Sequence, residues 1–205
     1  MLIITKLVKT GGLNPRMRVY LDGQPAFSLE LGIADGLSEG QHLSESEFEG
    51  LVRASERERA MAAAMRALAC RPYSLREMEQ KLAQKQFGGE TISYTVDNLS
   101  ARGLLNDGEF AQFWCENRDT FRPRSKALVG LELRRKGVAA DAINEATAGM
   151  DDEASAFQAG AKKAKTLKQA DRNTFYRRLG DYLGRRGYNY AVIQLTINKL
   201  WQEKE

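Results

Sequence analysis

Three stretches of this chain of 205 residues align with one another at intervals of 51 and then 50 residues. Leu82, Leu133 and Leu183 occupy equivalent positions in the three stretches. Four further apolar positions recur in the same register, and they are Met78, Val129 and Leu179; Phe87, Val138 and Tyr188; Ile92, Ile143 and Ile193; and Leu99, Met150 and Leu200. A tandem repeat of this length predicts an array of similar small units, each too small to bury its apolar face alone.

The spacing of the apolar residues predicts that each repeat is helical. In the middle of each repeat, apolar residues recur every three to four positions, as Val129 and Leu133 do, and a second amphipathic stretch follows after a short break. The break contains Gly137 or Gly187 in the second and third repeats, where the end of a helix favours a residue with positive φ. A further helix leads each repeat, over residues 45–69, 107–119 and 151–166. We therefore expect three units of three helices.

Two S-x-x-E sequences mark expected helix starts. Ser74 with Glu77, and Ser44 with Glu47, have the spacing of a capping box, in which each side chain accepts a hydrogen bond from the other residue's backbone N–H. Pro72 keeps the residue before it extended, so the first of these helices should begin at Ser74 and not earlier.

The first 44 residues differ from the repeats. They contain alternating β-forming residues, and the Asp22-Gly23 pair is a strong hairpin signal. We expect strands near residues 2–8, 17–21 and 25–29. The predicted fold is therefore mostly α, with a small N-terminal antiparallel β-sheet before three tandem three-helix units. The expected segments are residues 1–44 for the sheet and 45–104, 105–150 and 151–205 for the repeats.

The composition is that of an ordinary soluble protein, with 42% hydrophobic and 28% charged residues. The sequence has no apolar run long enough to span a membrane. Its N-terminal segment, MLIITKLVK, lacks the long apolar stretch of a signal peptide, which predicts a cytoplasmic protein. The two cysteines, Cys70 and Cys115, fit no zinc-site spacing, and we expect each to be a reduced, buried thiol.

No pattern of catalytic residues is recognisable in the sequence. It contains no nucleophile elbow, phosphate-binding loop, zinc-protease or dinucleotide-binding motif. The single histidine, His42, should be an exposed residue of a polar turn. The acidic run at residues 151–153 could suggest a metal, but it more simply complements a helix dipole. We expect no enzyme activity, no cofactor and no metal site.

Basic residues are the remaining candidates for function. Acidic side chains outnumber basic ones in residues 1–58, whereas basic ones dominate residues 151–205. Clustered cations interleaved with aromatic residues can follow a phosphate backbone or an acidic protein surface. The alternative is that they only solvate helix faces while aromatics such as Phe175 and Tyr188 fill the core. The candidate partner-binding residues are Arg122, Arg124, Lys126, Arg134, Arg135, Lys136, Arg177, Arg178, Arg185 and Arg186.

Three ordered motifs resemble the RecX family, the bacterial regulators of the recombinase RecA. The motifs are RPYS-x-x-E-x-x-x-K-L over residues 71–82, ARGLLND-x-x-FA over residues 101–111, and RPRS-x-x-x-x-x-x-EL-x-x-KGV over residues 122–138. The resemblance implies an elongated, curved molecule, expected as a monomer, that lodges in the groove of the RecA–DNA filament. There it would block strand exchange, ATP turnover and the coprotease function that releases the SOS response. One departure is Gln86, which stands where the family pattern has a glycine.

Two rival hypotheses remain. A three-helix unit can mimic helix-turn-helix geometry, so the chain could be a DNA-binding protein acting alone. The expected recognition stretch near Glu90–Asn98 carries no basic residue, which counts against this hypothesis. The chain could also be an inert scaffold, but a scaffold would not need the uneven distribution of charge.

Overall fold

The computed structural model describes residues 1–12 and 15–204. This part of the chain forms two compact units, one of Met1–Arg71 with Met78–Leu104, and one of Pro72–Glu77 with Leu105–Glu205. Its secondary structure comprises four strands and ten α-helices, with one short 3-10 helix. No helix in the described residues is both long and apolar enough to cross a membrane.

The first unit begins with an antiparallel sheet in the order β3-β2-β1-β4. Asp22 and Gly23 form the turn between β2 and β3 with φ of 46° and 83°, the left-handed pair that a two-residue hairpin of type I′ requires. The three predicted strands are confirmed. The strands are β1 (Leu2–Lys9), β2 (Arg16–Leu21), β3 (Gln24–Glu30) and β4 (His42–Leu43).

The fourth strand was not predicted. His42, expected in a turn, instead pairs with Ile3 in β4, and its side chain is exposed as expected. One face of the sheet contributes to an apolar core, in which Ile4, Val19 and Leu29 are completely buried. Burial of this face explains why the alternating pattern of the sequence predicted the longer strands correctly.

Four helices lie between β3 and residue 104: α1 (Leu31–Ala34), α2 (Glu45–Leu68), α3 (Leu75–Gln84) and α4 (Gly89–Ala101). The first residues of α3 belong to the second unit. The capping box at the start of α2 is confirmed, since Ser44 Oγ accepts from Glu47 N at 3.3 Å and the Glu47 carboxylate accepts from Ser44 N at 2.8 Å. Helix α3 begins after Ser74, whose Oγ accepts from Glu77 N at 3.1 Å. The short helix α1 was not predicted.

The second unit contains the remaining six helices: α5 (Asp107–Phe121), α6 (Lys126–Arg135), α7 (Ala140–Thr147), α8 (Asp152–Ala164), α9 (Arg172–Gly184) and α10 (Tyr190–Gln202). Together with α2, α3 and α4 they confirm three successive groups of three helices. Asp151 caps α8 by accepting from Glu153 N at 2.9 Å, so the acidic run at residues 151–153 lies at a helix start, as predicted.

The repeat register matches the burial of side chains. Leu82, Leu133 and Leu183 are all buried, with at most 1% of the side chain exposed. Phe175 and Tyr188 are core residues, as expected. Burial raises the pKa of Tyr188 to about 12, although its hydroxyl is hydrogen-bonded to Ser155 Oγ at 2.7 Å.

The two cysteines have different environments. Cys115 is buried, which confirms the prediction, and burial raises the pKa of its thiol. The prediction was wrong for Cys70, which is exposed. Cys70 comes just after the end of α2, where the chain turns, so no packed face covers it.

The turn after the second helix of each repeat has the same backbone conformation. Gly137 and Gly187 have φ of 90° and 85°, as a residue following a helix end often does. Gln86, at the equivalent position, has φ of 64°. The departure from the family pattern at this position therefore changes the residue but keeps the left-handed turn, at a strain that glycine would avoid.

Candidate partner-binding surface

Helix α6 is positioned by its buried face and by its N-terminal cap. Val129 and Leu133 are completely buried in the core of the second repeat. Ser125, which is also buried, accepts a hydrogen bond from Leu128 N at 3.2 Å and so caps the helix. Arg134 and Arg135 then lie in the last turn with their side chains exposed, where their charge complements the helix dipole.

The start of α6 lies against the turn that follows α9. Ser125 N donates a hydrogen bond to the carbonyl oxygen of Arg186 at 3.0 Å. Lys126, the first residue of α6, donates its backbone N–H to Asp152 Oδ1 at 2.7 Å. These bonds bring two of the predicted basic groups together, namely the group around Ser125 and the pair Arg185 and Arg186.

Similar contacts occur one repeat earlier within the second unit, although Ser74 donates through its hydroxyl where Ser125 donates through its backbone N–H. Leu75 N donates to Asp107 Oδ1 at 2.9 Å, just as Lys126 N does to Asp152. Ser74 Oγ donates to the carbonyl oxygen of Lys136 at 2.7 Å. Burial raises the pKa of Asp107, and the bond from Leu75 offsets this only in part. In both cases, therefore, the second helix of one repeat begins in contact with two elements of the following repeat. These elements are the start of its first helix and the turn after its second helix.

The ten predicted residues fall into two groups by exposure. Three side chains are half-buried, and they are Arg124, Lys136 and Arg186. The other seven are exposed, and they are Arg122, Lys126, Arg134, Arg135, Arg177, Arg178 and Arg185. We call these seven residues the exposed basic set.

The three half-buried cations have partners inside the protein. Arg124 forms an ion pair with Glu132, and Lys136 forms one with Glu77. Arg186 stacks its guanidinium 3.8 Å from the centre of the Tyr182 ring. Because these contacts engage the charged groups, the three side chains stabilise the fold and are less available to bind a partner.

Glu132 is the centre of a polar network that sequence reasoning did not assemble. Its carboxylate accepts from Trp114 Nε1 at 2.9 Å and from Arg118 Nε at 2.7 Å, in addition to its pair with Arg124. The Lys136 ammonium lies 4.1 Å from the centre of the Trp114 ring, within cation–π range. The sequence does contain one indication of this network, since Glu132 is the one acidic residue among the basic residues of the segment 122–136.

The network holds Glu132 in its charged form. Burial by itself would raise the pKa of this carboxyl group. The hydrogen bonds from Arg118 and Trp114, together with the charges of Arg118 and Arg124, outweigh burial and hold the pKa of Glu132 below its ordinary value of 4.5. A carboxyl group with a lowered folded-state pKa stabilises the fold above its unfolded pKa, and this contribution is lost as pH falls through the lowered value.

We expect Glu132→Gln to lower the free energy of unfolding at pH 7 by about 1–3 kcal/mol, because it leaves Arg118 and Arg124 without their counter-charge. Urea denaturation at pH 7 and at about pH 3 measures the effect. The difference in unfolding free energy between the variant and wild type should be smaller at the lower pH. Glu145→Gln is the control, since Glu145 is exposed on α7. A gap of the same size at both pH values would contradict the charged role of Glu132.

Among the described residues, no group of three or more histidine, cysteine, aspartate or glutamate side chains is arranged to hold a metal ion. The described residues form a tandem array of three-helix units, and the exposed basic set lies on the helices and turns of the second compact unit. These features define a helical repeat protein.

Comparison with known families identifies the array. Three family models match in order: RecX, first three-helix domain, over residues 60–99; RecX, second three-helix domain, over residues 106–146; and RecX, third three-helix domain, over residues 151–197. The chain belongs to the RecX family.

Individual relatives agree with this assignment. The chain is 32% identical over 157 residues to "Regulatory protein RecX" of Mycobacterium avium (strain 104), which covers 74% of this chain and 90% of the relative. It is 24% identical over 203 residues to the protein of the same name from Clostridioides difficile (strain 630), covering 97% and 95%.

Two crystal structures share the fold. A regulatory protein RecX superposes with a TM-score of 0.69 at 18% identity, covering 97% of this chain and all of the other. RecX from Lactobacillus salivarius superposes with a TM-score of 0.60 at 19% identity, covering 72% of this chain and 97% of the other. At these identities the likeness concerns the fold alone.

Proposed function

We propose that this protein regulates RecA, chiefly as an inhibitor, by binding in the groove of the RecA–DNA filament. It would thereby modulate recombination, DNA repair and the SOS response. Membership of a family whose members are named regulatory proteins supports this function. The observation that carries the proposal is that seven predicted cations are exposed on the helices and turns of the second unit, where acidic protein surface or phosphates can reach them.

The proposal includes several properties of the protein as it works. We propose that it acts in the cytoplasm, as a monomer, without a cofactor and without catalysing a reaction itself. Inhibition then depends only on occupying the filament. Nucleic acid would be contacted weakly, or through the filament, because a few scattered cations give a non-specific dissociation constant of about 10⁻⁴ to 10⁻⁶ M at physiological salt.

The alternative function, a DNA-binding protein acting alone, has less support. Helices α4 and α7, the third helices of the first two repeats, contain no lysine or arginine. A recognition helix that reads base edges in the major groove commonly uses arginine or lysine for guanine. The same binding experiment decides between the two functions.

We expect Arg134→Glu/Arg135→Glu to weaken binding to RecA-coated single-stranded DNA by about tenfold or more, because two exposed cations become anions facing an acidic surface. The measurement is a titration of the labelled protein against coated and naked DNA, repeated at two salt concentrations. The same variant should need a correspondingly higher concentration to inhibit the ATPase of RecA on single-stranded DNA.

Lys165→Glu/Lys168→Glu is the matched control. It changes the net charge equally, and both lysines are exposed in the third repeat outside the exposed basic set. This control should bind the filament within about twofold of wild type. Equal affinity of the wild type for naked and coated DNA would favour the stand-alone DNA binder. If Arg134→Glu/Arg135→Glu bound RecA-coated DNA as tightly as wild type, the end of α6 would not be part of the interface.

A further inference from the structure

A second group of cations lies in the first unit, apart from the residues considered so far. It lines a cavity of about 360 Å³, which falls in the range of about 300–1,000 Å³ common for small-molecule sites. Helix α2, strand β2 and the turn after α3 contribute its walls. The side chains that matter for its chemistry are Arg16, Arg59, Arg66, Lys85 and Phe87.

Helix geometry places two of the arginines on one face. Arg59 and Arg66 are seven residues apart on α2, which is close to two full helical turns. Both side chains are exposed at the cavity. The small residues Ala62 and Ala63 lie between them and keep the floor of the cavity open.

Arg16 forms the rigid wall. Its guanidinium donates to Glu58 Oε2 at 2.8 Å and to the carbonyl oxygen of Ser28, also at 2.8 Å. Glu58 in turn accepts from Glu30 N at 3.0 Å. The guanidinium is therefore fixed in place, while its charge is partly neutralised by Glu58.

The turn after α3 supplies a cation and an aromatic ring. Gln86 adopts a positive φ of 64°, and its N–H bonds the carbonyl oxygen of Ala83 at 2.9 Å, which fixes the turn. Lys85 and Phe87 flank Gln86, and both line the cavity. The Arg59 guanidinium lies over the Phe87 ring, 5.8 Å from its centre and within cation–π range, so the ring borders the cations.

The protein balances the positive charge of this cavity only in part, because Arg16 pairs with Glu58 whereas the other cations have no partner at ion-pair distance in the described part of the chain. Among the residues that the structure describes, none that lines the cavity carries a carboxylate, and Arg59, Arg66 and Lys85 form no ion pair. Glu56, also on α2, accepts from Gly88 N at 3.1 Å and from Thr91 Oγ1 at 2.8 Å. These hydrogen bonds lower the pKa of Glu56, and the charge of Arg59 contributes to the lowering, so Glu56 balances Arg59 in part without pairing with it. Cations that lack a full counter-charge in one concavity repel one another, and a bound anion would remove that cost.

We propose that this cavity binds the phosphate groups of a nucleotide, with the base or sugar against Phe87. Guanidinium groups match phosphate geometry through paired hydrogen bonds, and several converging cations suit a ligand with several negative charges. Phe87 offers an apolar face that a bare phosphate would not need. The nucleotide is either free or one unit of a single strand, since both present the same phosphates. This proposal uses none of the residues of the exposed basic set.

The test measures binding of three probes to the full-length protein by calorimetry: tripolyphosphate, ATP and oligothymidylate. We expect saturable binding of tripolyphosphate and of at least one nucleotide probe, and a rise in the thermal unfolding temperature with it. Arg59→Gln and Arg66→Gln should each weaken binding by about tenfold, because each removes a charged hydrogen-bond donor. Glutamine keeps the helix propensity of arginine, so the fold of α2 is preserved.

Arg53→Gln is the matched control, since Arg53 is an exposed arginine of the same helix that pairs with Glu49 at 3.2 Å and does not line the cavity. Its affinity should equal that of wild type. Preference for ATP identifies a free nucleotide as the ligand, and preference for oligothymidylate identifies a strand. Phe87→Leu should weaken both nucleotide probes and leave tripolyphosphate unchanged. Absence of saturable binding by wild type, or an equal loss in Arg53→Gln, would overturn the proposal.

Discussion

Leu133→Ala should lower the free energy of unfolding by about 2–5 kcal/mol, the range observed when a buried leucine is truncated and its cavity only partly collapses. Leu133 is completely buried. It belongs to the core of the second repeat, with Phe110, Val129 and Ile143. Urea denaturation followed by circular dichroism measures the change.

Leu131→Ala is the control for this substitution. Leu131 is on the same helix, but 38% of the residue is exposed. Its truncation should cost about 1 kcal/mol or less, because little additional apolar surface is lost from the core. Equal losses at the two leucines would mean that the repeat register does not determine which side of α6 is buried.

The repeat could be predicted from the sequence because each repeat buries the same positions. Leu82, Leu133 and Leu183 share a register, and all three are buried. A packed helix must place its apolar residues on one side, so the spacing of the apolar residues in the sequence predicts which positions are buried. Turn geometry was predictable for a similar reason, since Asp22-Gly23 favours left-handed backbone angles.

Short elements could not be predicted in this way. Strand β4 has two residues and helix α1 has four. These elements are too short to show the periodic spacing of apolar residues that is typical of a strand or a helix. Their conformation depends on contacts made by distant parts of the chain, such as the pairing of His42 with Ile3. Cys70 was placed wrongly because residue type alone suggested burial, whereas its position after the end of α2 leaves it exposed.

The candidate surface was predictable only as a set of cations. The sequence does not reveal which cations are paired, because their partners can be far apart in the chain. Lys136 pairs with Glu77, which precedes it by 59 residues, whereas Arg135 beside it is exposed. The cavity in the first unit was missed for the same reason, since Arg16, Arg66 and Lys85 come together only in the folded chain.

The close contact between the start of α6 and the turn after α9 makes Gly187 the most constrained of the described glycines of the third repeat. Its φ is 85°. A Cβ atom at this position would lie 2.6 Å from Ser125 Oγ and 2.8 Å from Leu128 Cβ. Ser125 cannot move away without losing its role as the cap of α6, because its Oγ accepts from Leu128 N. The turn therefore excludes any side chain.

Gly187→Ala should lower the free energy of unfolding by about 2–5 kcal/mol, which combines about 1–2 kcal/mol for a left-handed alanine with about 1–3 kcal/mol for overpacking. Gly180→Ala, the same chemical change within α9, should have the opposite sign. Its Cβ would meet Ile197 Cδ1 at an ordinary 3.6 Å, and alanine favours a helix over glycine by about 0.5–1 kcal/mol. Thermal and urea unfolding of both variants measure the difference. If Gly187→Ala were as stable as wild type, the turn after α9 would not require a glycine, and equal destabilisation by both variants would mean that the effect is not specific to this turn.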